Sequence, residues 1–252
     1  MQLPKAVIFD LDETLAISFQ APEPGMLDRL TALQAHLPVA IMTGAGFDRI
    51  INDVVTHLPK EPTNLVLFPN SSSQCFMYEG HAWKNIYSHL MNDEERAKIK
   101  DALNTALGEF EELSSAPVYG ERIIDREAQI AFTAVGQEAP ADVKATWDPT
   151  SEKRLRIARV LRDRLPEFDI LIGGASTIDF TRKDTNKSYG VRWFADYLKT
   201  TPSELLYVGD ALYPGGNDEV VLVTGIQARS VANPEDTEGV IDELLNLIDS
   251  SS

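Results

Sequence analysis

Short apolar runs constrain the fold of this chain more than any other feature of its sequence. Each has four residues without a charged position, and they are Ala6–Phe9, Val39–Met42, Leu65–Phe68 and 205–208. Such runs are typical of strands buried on both faces of a parallel sheet. Amphipathic stretches such as 25–37 and 187–198 lie between them. The alternation predicts a doubly wound α/β domain, in which sites collect at the carboxyl ends of the strands. We interpret 221–223 as a further, shorter strand.

The middle of the chain is organised differently. Charged helical stretches occupy 93–110 and 151–165, strand-like alternation occupies 120–135, and a short strand occupies 169–172. Mostly local connections of this kind predict an α+β module inserted into the α/β domain. We expect residues 1–82 and 184–252 to form the catalytic core and residues 83–183 to form the insertion, with the loop 136–149 as an excursion within it.

Composition narrows the classes of function. The 252 residues are 43 % hydrophobic, which is enough for a sizeable core, and the formal net charge is −16. Scattered acidic residues disfavour nucleic acid and anionic membranes as partners. Cys75 is the single cysteine, so no internal disulfide can form, and a cytoplasmic location is expected. We also expect neither a leader peptide nor a membrane span.

The first apolar run ends in two acids, Asp10 and Asp12, within the sequence FDLDETL. Two like charges at the end of a buried strand are costly unless a cation lies beside them or one of them takes a proton. A divalent metal would resolve the conflict. The alternative is an Asx turn that caps the next helix, since Asp and Thr are common in such turns.

Further polar residues follow other strand ends or begin helices. They are Thr43 and Gly44 after the second run, Lys187 at the start of a helical stretch, Asp210 after the fourth run, and Asn217 with Asp218 in a glycine-rich loop. Taken singly, each has an ordinary alternative: a turn, or a surface lysine whose stem covers apolar groups. Thr43 and Gly44 could donate hydrogen bonds to a phosphate.

The order of these motifs resembles that of the haloacid dehalogenase (HAD) superfamily of phosphohydrolases. An insertion between the threonine motif and the lysine motif resembles the type-two caps of its subclass IIB. The segments 173–180 and 209–218 look like those of eukaryotic-type phosphomannomutases and related bacterial hydrolases. The resemblance implies a Rossmann-like core with a parallel sheet and an inserted α+β cap, and it implies a homodimer formed through the cap.

The motifs also imply a chemistry. Asp10 is the candidate nucleophile that forms an aspartyl phosphate, and Asp12 is the candidate general acid and base. Mg²⁺ would bind Asp10, the backbone carbonyl of Asp12, and Asp210, with Asn217 and Asp218 orienting this metal site. Thr43 and Lys187 would stabilise the transferring phosphoryl group. Thr14 and Gly44 are further candidates for binding the substrate.

Four residues of the inserted module lie where relatives bind the distal part of the substrate. They are Arg122, Arg126, Thr177 and Asp179. An ordinary solvated role remains open for the two arginines, because most surface charges have no other role.

The resemblance leaves hydrolysis and isomerisation as competing activities. Phosphomannomutases carry an arginine shortly after the first motif, where this chain has no cation in 16–20, and another where this chain has 135–137 without one. Arg126 keeps one matching charge. We therefore predict a Mg²⁺-dependent phosphatase that acts on a small phosphorylated metabolite, with a sugar phosphate as the expected substrate. The alternatives are a phosphohexomutase and a catalytically silent binding protein.

Overall fold

The computed structural model describes residues 3–250. Its strands are β1 (Ala6–Phe9), β2 (Val39–Met42), β3 (Leu65–Phe68), β4 (Gln74–Glu79), β5 (Ala82–Ser88), β6 (Ile123–Asp125), β7 (Ile130–Thr133), β8 (Phe168–Gly173), β9 (Thr177–Arg182), β10 (Leu205–Gly209) and β11 (Gln227–Ser230). Its α-helices are α1 (Pro24–Gln34), α2 (Phe47–Asp53), α3 (Asp93–Glu109), α4 (Glu111–Ser114), α5 (Ala141–Trp147), α6 (Glu152–Arg164), α7 (Lys187–Tyr197) and α8 (Pro234–Asp249).

These elements form two compact units. The first contains the described residues up to Ser88 together with those from Lys187 onward, and the second is His89–Asn186. The first unit is built on a seven-stranded sheet in the order β11-β10-β1-β2-β3-β4-β5. Pairing is parallel from β11 to β3 and antiparallel from β3 to β5. This sheet confirms the predicted doubly wound α/β fold.

Strand β1 is the middle one of the five parallel strands, as expected of a strand whose two faces are both apolar. Val7 and Phe9 pack on one side with α1 and α8, while Ala6 and Ile8 pack on the other side with α7. All four side chains are fully buried. The chain leaves β1 towards β2 on one side, and β10 flanks β1 on the other. Such a switch point opens a crevice at the carboxyl ends of the strands.

The second unit has an antiparallel sheet in the order β6-β7-β9-β8. Its apolar face packs on α3 and α6 through a core that includes Phe132, Ile170 and Phe180. The opposite positions of β9 carry Thr177 and Asp179. Helices on one face of an antiparallel sheet make this unit α+β.

The first unit extends further along the chain than expected before the insertion. Residue 83 lies inside β5, which continues to Ser88 as the edge strand of the first sheet. The preceding turn has Gly80 at φ 60° and His81 at φ 63°, the left-handed conformation that a two-residue hairpin turn requires. The hairpin β4–β5 therefore belongs to the sheet of the core, and the second unit begins at His89.

Two local predictions were wrong. Residues 221–223 do not form a strand but lie in the 3₁₀ helix Glu219–Thr224, where Val221 is buried while Leu222 and Val223 are 43 % and 72 % exposed. A strand buried on both faces would have covered all three. The stretch 136–149, expected as a loop, contains α5.

A buried ion pair organises the second unit. Asp148 accepts hydrogen bonds from the backbone N–H groups of Lys153 and Arg154, at the start of α6, and from Arg154 Nε at 3.0 Å. The Arg154 guanidinium also donates to the carbonyl oxygens of Gly173 and Gly174. It thereby ties the beginning of α6 to the turn between β8 and β9.

Within residues 3–250, no helix combines the length and the apolar character that crossing a bilayer requires.

Removing the guanidinium of Arg154 should destabilise the protein. Arg154→Met should lower the free energy of unfolding by about 3 kcal/mol, because it leaves the buried Asp148 carboxylate without its counter-charge. Arg156→Met is the matched control, since Arg156 lies on the same helix but its side chain is 62 % exposed. Urea unfolding followed by circular dichroism measures both variants. Equal shifts of the two urea midpoints would show that the burial of the Arg154–Asp148 pair does not affect its contribution to stability.

Candidate functional site

Three candidate residues occupy equivalent positions on neighbouring strands. Asp10 is the first residue after β1, Thr43 is the first after β2, and Asp210 is the first after β10. The parallel register pairs Phe9 with both Ile41 and Val208, so the three strands end at the same edge of the sheet. The backbone N–H of Asp10 still donates to the carbonyl of Val208 at 3.0 Å. The strand ends thus converge at the switch point.

Lys187 lies at the centre of the site. Its ammonium group, on a side chain only 2 % exposed, donates to Asp10 Oδ1 at 2.5 Å, to Asp218 Oδ1 at 2.6 Å and to the Tyr207 hydroxyl at 3.1 Å. Tyr207 in turn donates to Asp218 Oδ1 at 2.6 Å. An ammonium group has three donors, so all of them are used. The lysine is therefore a buried part of the site and not a surface residue.

The charges at this site do not balance. Asp10, Asp210 and Asp218 each offer one oxygen, and these oxygens lie within 4.8 Å of one another. Burial, followed by the nearby carboxylate of Asp218, raises the pKa of Asp210 to about 6. Burial also raises the pKa of Asp10, although Lys187 opposes this. For Lys187, burial alone would lower the pKa, but Asp10 and Asp218 outweigh it and raise the pKa.

The carboxylate oxygens of this cluster are suited to binding a magnesium ion. Three carboxylates face one ammonium group, so the cluster carries an excess of negative charge that a divalent cation would neutralise. The ligand atoms that these three carboxylates offer are all oxygens, which Mg²⁺ prefers. Asn217 precedes Asp218 in the same loop, where it is half-buried. The carboxylate of Asp12 is not part of this cluster.

Thr14 connects the loop after β1 to Asp210. Its side chain is fully buried, and its Oγ1 accepts a hydrogen bond from the backbone N–H of Asp210 at 3.1 Å. The same hydroxyl lies 3.4 Å from Asp210 Oδ1. Thr14 is predicted to bind substrate, and its contacts place it beside a candidate metal ligand.

Thr43 and Gly44 form the turn after β2. Thr43 is 1 % exposed, and its Oγ1 accepts a hydrogen bond from the backbone N–H of Ala45 at 3.1 Å. Its own N–H donates to the carbonyl of Phe68 at 3.1 Å. These bonds hold the turn at the edge where Asp10 lies, and the hydroxyl proton of Thr43 remains available for donation.

Sequence reasoning missed Arg49. This residue of α2 donates from Nη2 to Asp12 Oδ1 at 2.5 Å and from Nη1 to Asp12 Oδ2 at 3.0 Å. Its Nε donates to Asp53 at 3.1 Å, and its guanidinium lies 4.9 Å from the centroid of the Phe19 ring. The only sequence signal was a cation in the helix that directly follows the threonine motif. Tyr207 was missed as well, because it lies within an otherwise apolar strand.

The remaining candidates all belong to the second unit. Thr177 begins β9, and Asp179 lies in the middle of the same strand with 5 % of its surface exposed. Arg126 donates to Gln129 Oε1 at 2.8 Å. Arg122 differs, because its Nε and Nη2 atoms are buried without a hydrogen-bond partner among the described residues. Its guanidinium lies 5.5 Å from the centroid of the Phe132 ring, and burial lowers its pKa.

Comparison with known proteins places the chain in a family. The model of a family described as eukaryotic phosphomannomutase matches residues 26–247. The chain belongs to the eukaryotic phosphomannomutase family. This confirms the resemblance to the haloacid dehalogenase superfamily, and the protein is therefore an enzyme of that superfamily. Asp10 and Asp12 precede the matched range.

Curated relatives of this family align over nearly the whole chain. A probable phosphomannomutase of Caenorhabditis elegans is 22 % identical over 249 residues, which cover 96 % of both chains. A phosphomannomutase of Arabidopsis thaliana is 24 % identical over 239 residues, covering 91 % of this chain and 92 % of the relative. Both alignments are longer than the family match.

Solved structures share the fold. An IMP-nucleotidase of Plasmodium falciparum superposes with a TM-score of 0.72 at 13 % identity, over 96 % of this chain and 68 % of that one. The C-terminal domain of a trehalose-6-phosphate phosphatase of C. albicans gives a TM-score of 0.67 at 14 % identity, over 97 % of this chain and 92 % of that one. These likenesses confirm the α/β fold.

The crowded carboxylates predict an unusual response to pH. The pKa of Asp210 in the folded protein exceeds that of an unfolded aspartate, so its contribution to stability is present below about pH 4 and is lost as the pH rises through 6. Metal-free Asp210→Asn cannot ionise there and should be more stable than the wild type by about 1 to 3 kcal/mol near pH 7.5. Near pH 4 the difference should vanish.

Thermal unfolding at both pH values measures this effect, with the exposed Asp196→Asn as the control. Added Mg²⁺ should stabilise the wild type more than Asp210→Asn, because only the wild type keeps the full set of carboxylates. If Asp210→Asn were less stable than the metal-free wild type near pH 7.5, the clustered carboxylates would not destabilise the metal-free protein, contrary to this prediction.

Proposed function

We propose that the protein is a Mg²⁺-dependent phosphatase that hydrolyses a sugar phosphate or a similarly small phosphorylated metabolite. The observation that carries the proposal is the environment of Asp10. This buried carboxylate ends the central strand, accepts a hydrogen bond from Lys187 through Oδ1 at 2.5 Å, and lies in one cluster with Asp210 and Asp218. A nucleophilic carboxylate needs a cation that orients it, and the phosphate that it attacks needs positive charge nearby.

The proposed reaction has two steps. In the first, Asp10 Oδ2 attacks phosphorus in line, the bond to the sugar oxygen breaks, and Asp12 gives its proton to the departing alkoxide. In the second, Asp12 takes a proton from water, whose oxygen attacks the aspartyl phosphate and releases inorganic phosphate. Lys187 and the Thr43 hydroxyl stabilise charge on the phosphoryl oxygens.

Asp10, Asp210 and the backbone carbonyl of Asp12 would hold Mg²⁺, with Asn217 and Asp218 orienting them. When bound, the ion supplies positive charge beside the phosphoryl oxygens. The buried contacts among Asp218, Tyr207 and Lys187 support this division of roles, since they fix the lysine between Asp10 and Asp218.

We assign recognition of the rest of the substrate to the second unit. Thr177 and Asp179 can hydrogen-bond to sugar hydroxyl groups, and Arg122 has buried N–H groups without a partner among the described residues. Unpaired donors of this kind are costly unless a ligand satisfies them. Names of the relatives, which include phosphomannomutases and a trehalose-6-phosphate phosphatase, support a sugar phosphate as substrate.

Phosphohexomutase activity is the second candidate, and the family match favours it. A mutase must also hold the phosphate that is not reacting, which requires further cations. Residues 16–20 contain none, and the guanidinium that lies beside Phe19 already pairs with two carboxylates, those of Asp12 and Asp53. Arg49 therefore brings no uncompensated charge, and this supports hydrolysis. A silent binding protein is disfavoured by the intact set of Asp10, Lys187 and Asp210.

Asp10→Asn should reduce turnover by at least roughly 10³-fold, because the amide is nearly isosteric but is a poor nucleophile. Phosphate release measures the loss, and circular dichroism shows whether the fold is retained. Thr56→Val is a suitable control, since its hydroxyl makes an exposed hydrogen bond to the carbonyl of Asn52. An active and folded Asp10→Asn enzyme would refute the covalent mechanism.

A single assay separates hydrolysis from isomerisation. Hexose 1- and 6-phosphates are incubated with enzyme and Mg²⁺, with and without added hexose bisphosphate, and phosphate release and isomer formation are followed in the same samples. We expect net phosphate release and little interconversion, because too few free cations are available to retain a bisphosphate intermediate. Efficient interconversion without phosphate release would establish the mutase instead.

A further inference from the structure

Asp12 is a half-buried carboxylate, two residues after the nucleophile, that is held by an arginine. Both of its oxygens accept hydrogen bonds from Arg49, at 2.5 and 3.0 Å, in the bidentate geometry that fixes a carboxylate in direction as well as in distance. The side chains of Asp12 and Arg49 remain 28 % and 25 % exposed. Because the pair is half-buried and still open to solvent, its contribution to stability is limited. The bidentate geometry has a further effect, since it fixes where the carboxylate points.

The guanidinium is itself restrained on three sides. Its Nε donates to Asp53, one turn further along α2, while its Cζ atom lies over the Phe19 ring, 4.9 Å from the centroid. Asp12 takes the remaining side. Phe19 belongs to the same loop as Asp12 and has φ of 65°. Arg49 therefore connects two parts of this loop to a helix, and it is oriented before any substrate arrives.

Bidentate pairing is compatible with proton transfer. Each carboxylate oxygen has two lone pairs, and the guanidinium occupies one on each oxygen. The other lone pairs can still take or release a proton. Without the guanidinium, the Asp12 side chain could rotate among its rotamers, away from the line between Asp10 and the leaving group. Proton transfer requires a donor within hydrogen-bond reach of the reacting oxygen.

We propose that Arg49 is a positioning residue that holds the carboxylate of Asp12 where it can protonate the leaving group. The inference rests on the proposed function, because it assigns Arg49 to act only through Asp12. Asp53 and Phe19 then serve to hold Arg49. This role differs from direct phosphate binding. In that case Arg49 would contact the substrate, and its removal would slow the reaction even in a variant that lacks Asp12.

The leaving group provides the test. A general acid accelerates departure of a basic alkoxide but adds little for p-nitrophenolate, which departs readily without a proton. The quantity to compare is kcat/KM, which covers the steps up to alcohol release. Wild type, Asp12→Ala, Arg49→Met and the double variant are assayed with a hexose 6-phosphate and with p-nitrophenyl phosphate, at saturating Mg²⁺.

We expect Arg49→Met to lower kcat/KM for the hexose phosphate by about 10- to 100-fold, and for p-nitrophenyl phosphate by less than about 3-fold. Asp12→Ala should show the same pattern with a larger loss. The double variant should match Asp12→Ala, because residues that act as a unit are not additive. Arg49→Lys should recover part of the loss, since lysine keeps the charge but not the bidentate geometry.

Arg29→Met is the matched control. Arg29 of α1 pairs with Asp242 through Nε and Nη2 at 2.9 and 3.1 Å, in the same unit and with similar geometry, but it has no contact with Asp12. It should leave the ratio of the two kcat/KM values unchanged. Circular dichroism and thermal unfolding of Arg49→Met and Arg49→Lys show whether either variant has lost its fold.

The possible outcomes separate the two proposals. Equal losses for both substrates, or a rise in KM that persists in the Asp12→Ala background, would mean that Arg49 binds substrate directly and would overturn the inference. If Asp12→Ala lacks dependence on the leaving group, the general-acid step of the proposed function fails, and the role of Arg49 fails with it. A wild type that hydrolyses neither substrate, nor any phosphorylated metabolite of a wider panel, refutes the phosphatase and the role of Arg49 with it.

Discussion

The buried ammonium group of Lys187 is the interaction on which the rest of the site depends. It links the end of β1, through Asp10, to the loop after β10, through Asp218. Burying an ammonium group without partners would be prohibitive, and so would burying the two carboxylates without a cation. Each charge is therefore tolerable only because of the others. The central strand can end in an acid because α7 begins with this lysine.

The sequence predicts the centre of the fold better than its edges. The runs that became β1, β2, β3 and β10 were recognisable because burial on both faces removes charged positions from a strand. Strand β5 was assigned to the insertion from residue 83 onward, because this edge strand is mostly exposed and its composition is mixed. Its one clear signal was the Gly80–His81 turn. Residues 221–223 were misread because a run of apolar residues in a 3₁₀ helix has the same composition as a short strand.

The candidate site was predictable where it follows strand ends, and not where it depends on contacts between distant side chains. The positions of Asp10, Thr43 and Asp210 followed from the strand boundaries and from the parallel order. The pairing of Asp12 with Arg49 joins residues 37 positions apart, and no local pattern marks it. The contacts of Tyr207 with Lys187 and Asp218 were hidden for the same reason. Such pairs depend on how α2 and α7 pack, which no single segment determines.

The chain connectivity of the first sheet has a consequence for biosynthesis. Strand β1 forms its parallel pair with β10, Ala6 opposite Leu205, so its neighbour is translated only after the whole segment His89–Asn186. During translation β1 therefore has one edge unpaired until β10 has been synthesised. The second unit is one continuous segment, and its synthesis is complete before that of β10. Long-range parallel pairing of this kind is slow and leaves apolar edges exposed to aggregation. The inserted unit thus imposes an order of folding, in which the continuous segment can fold during synthesis and the catalytic sheet closes last.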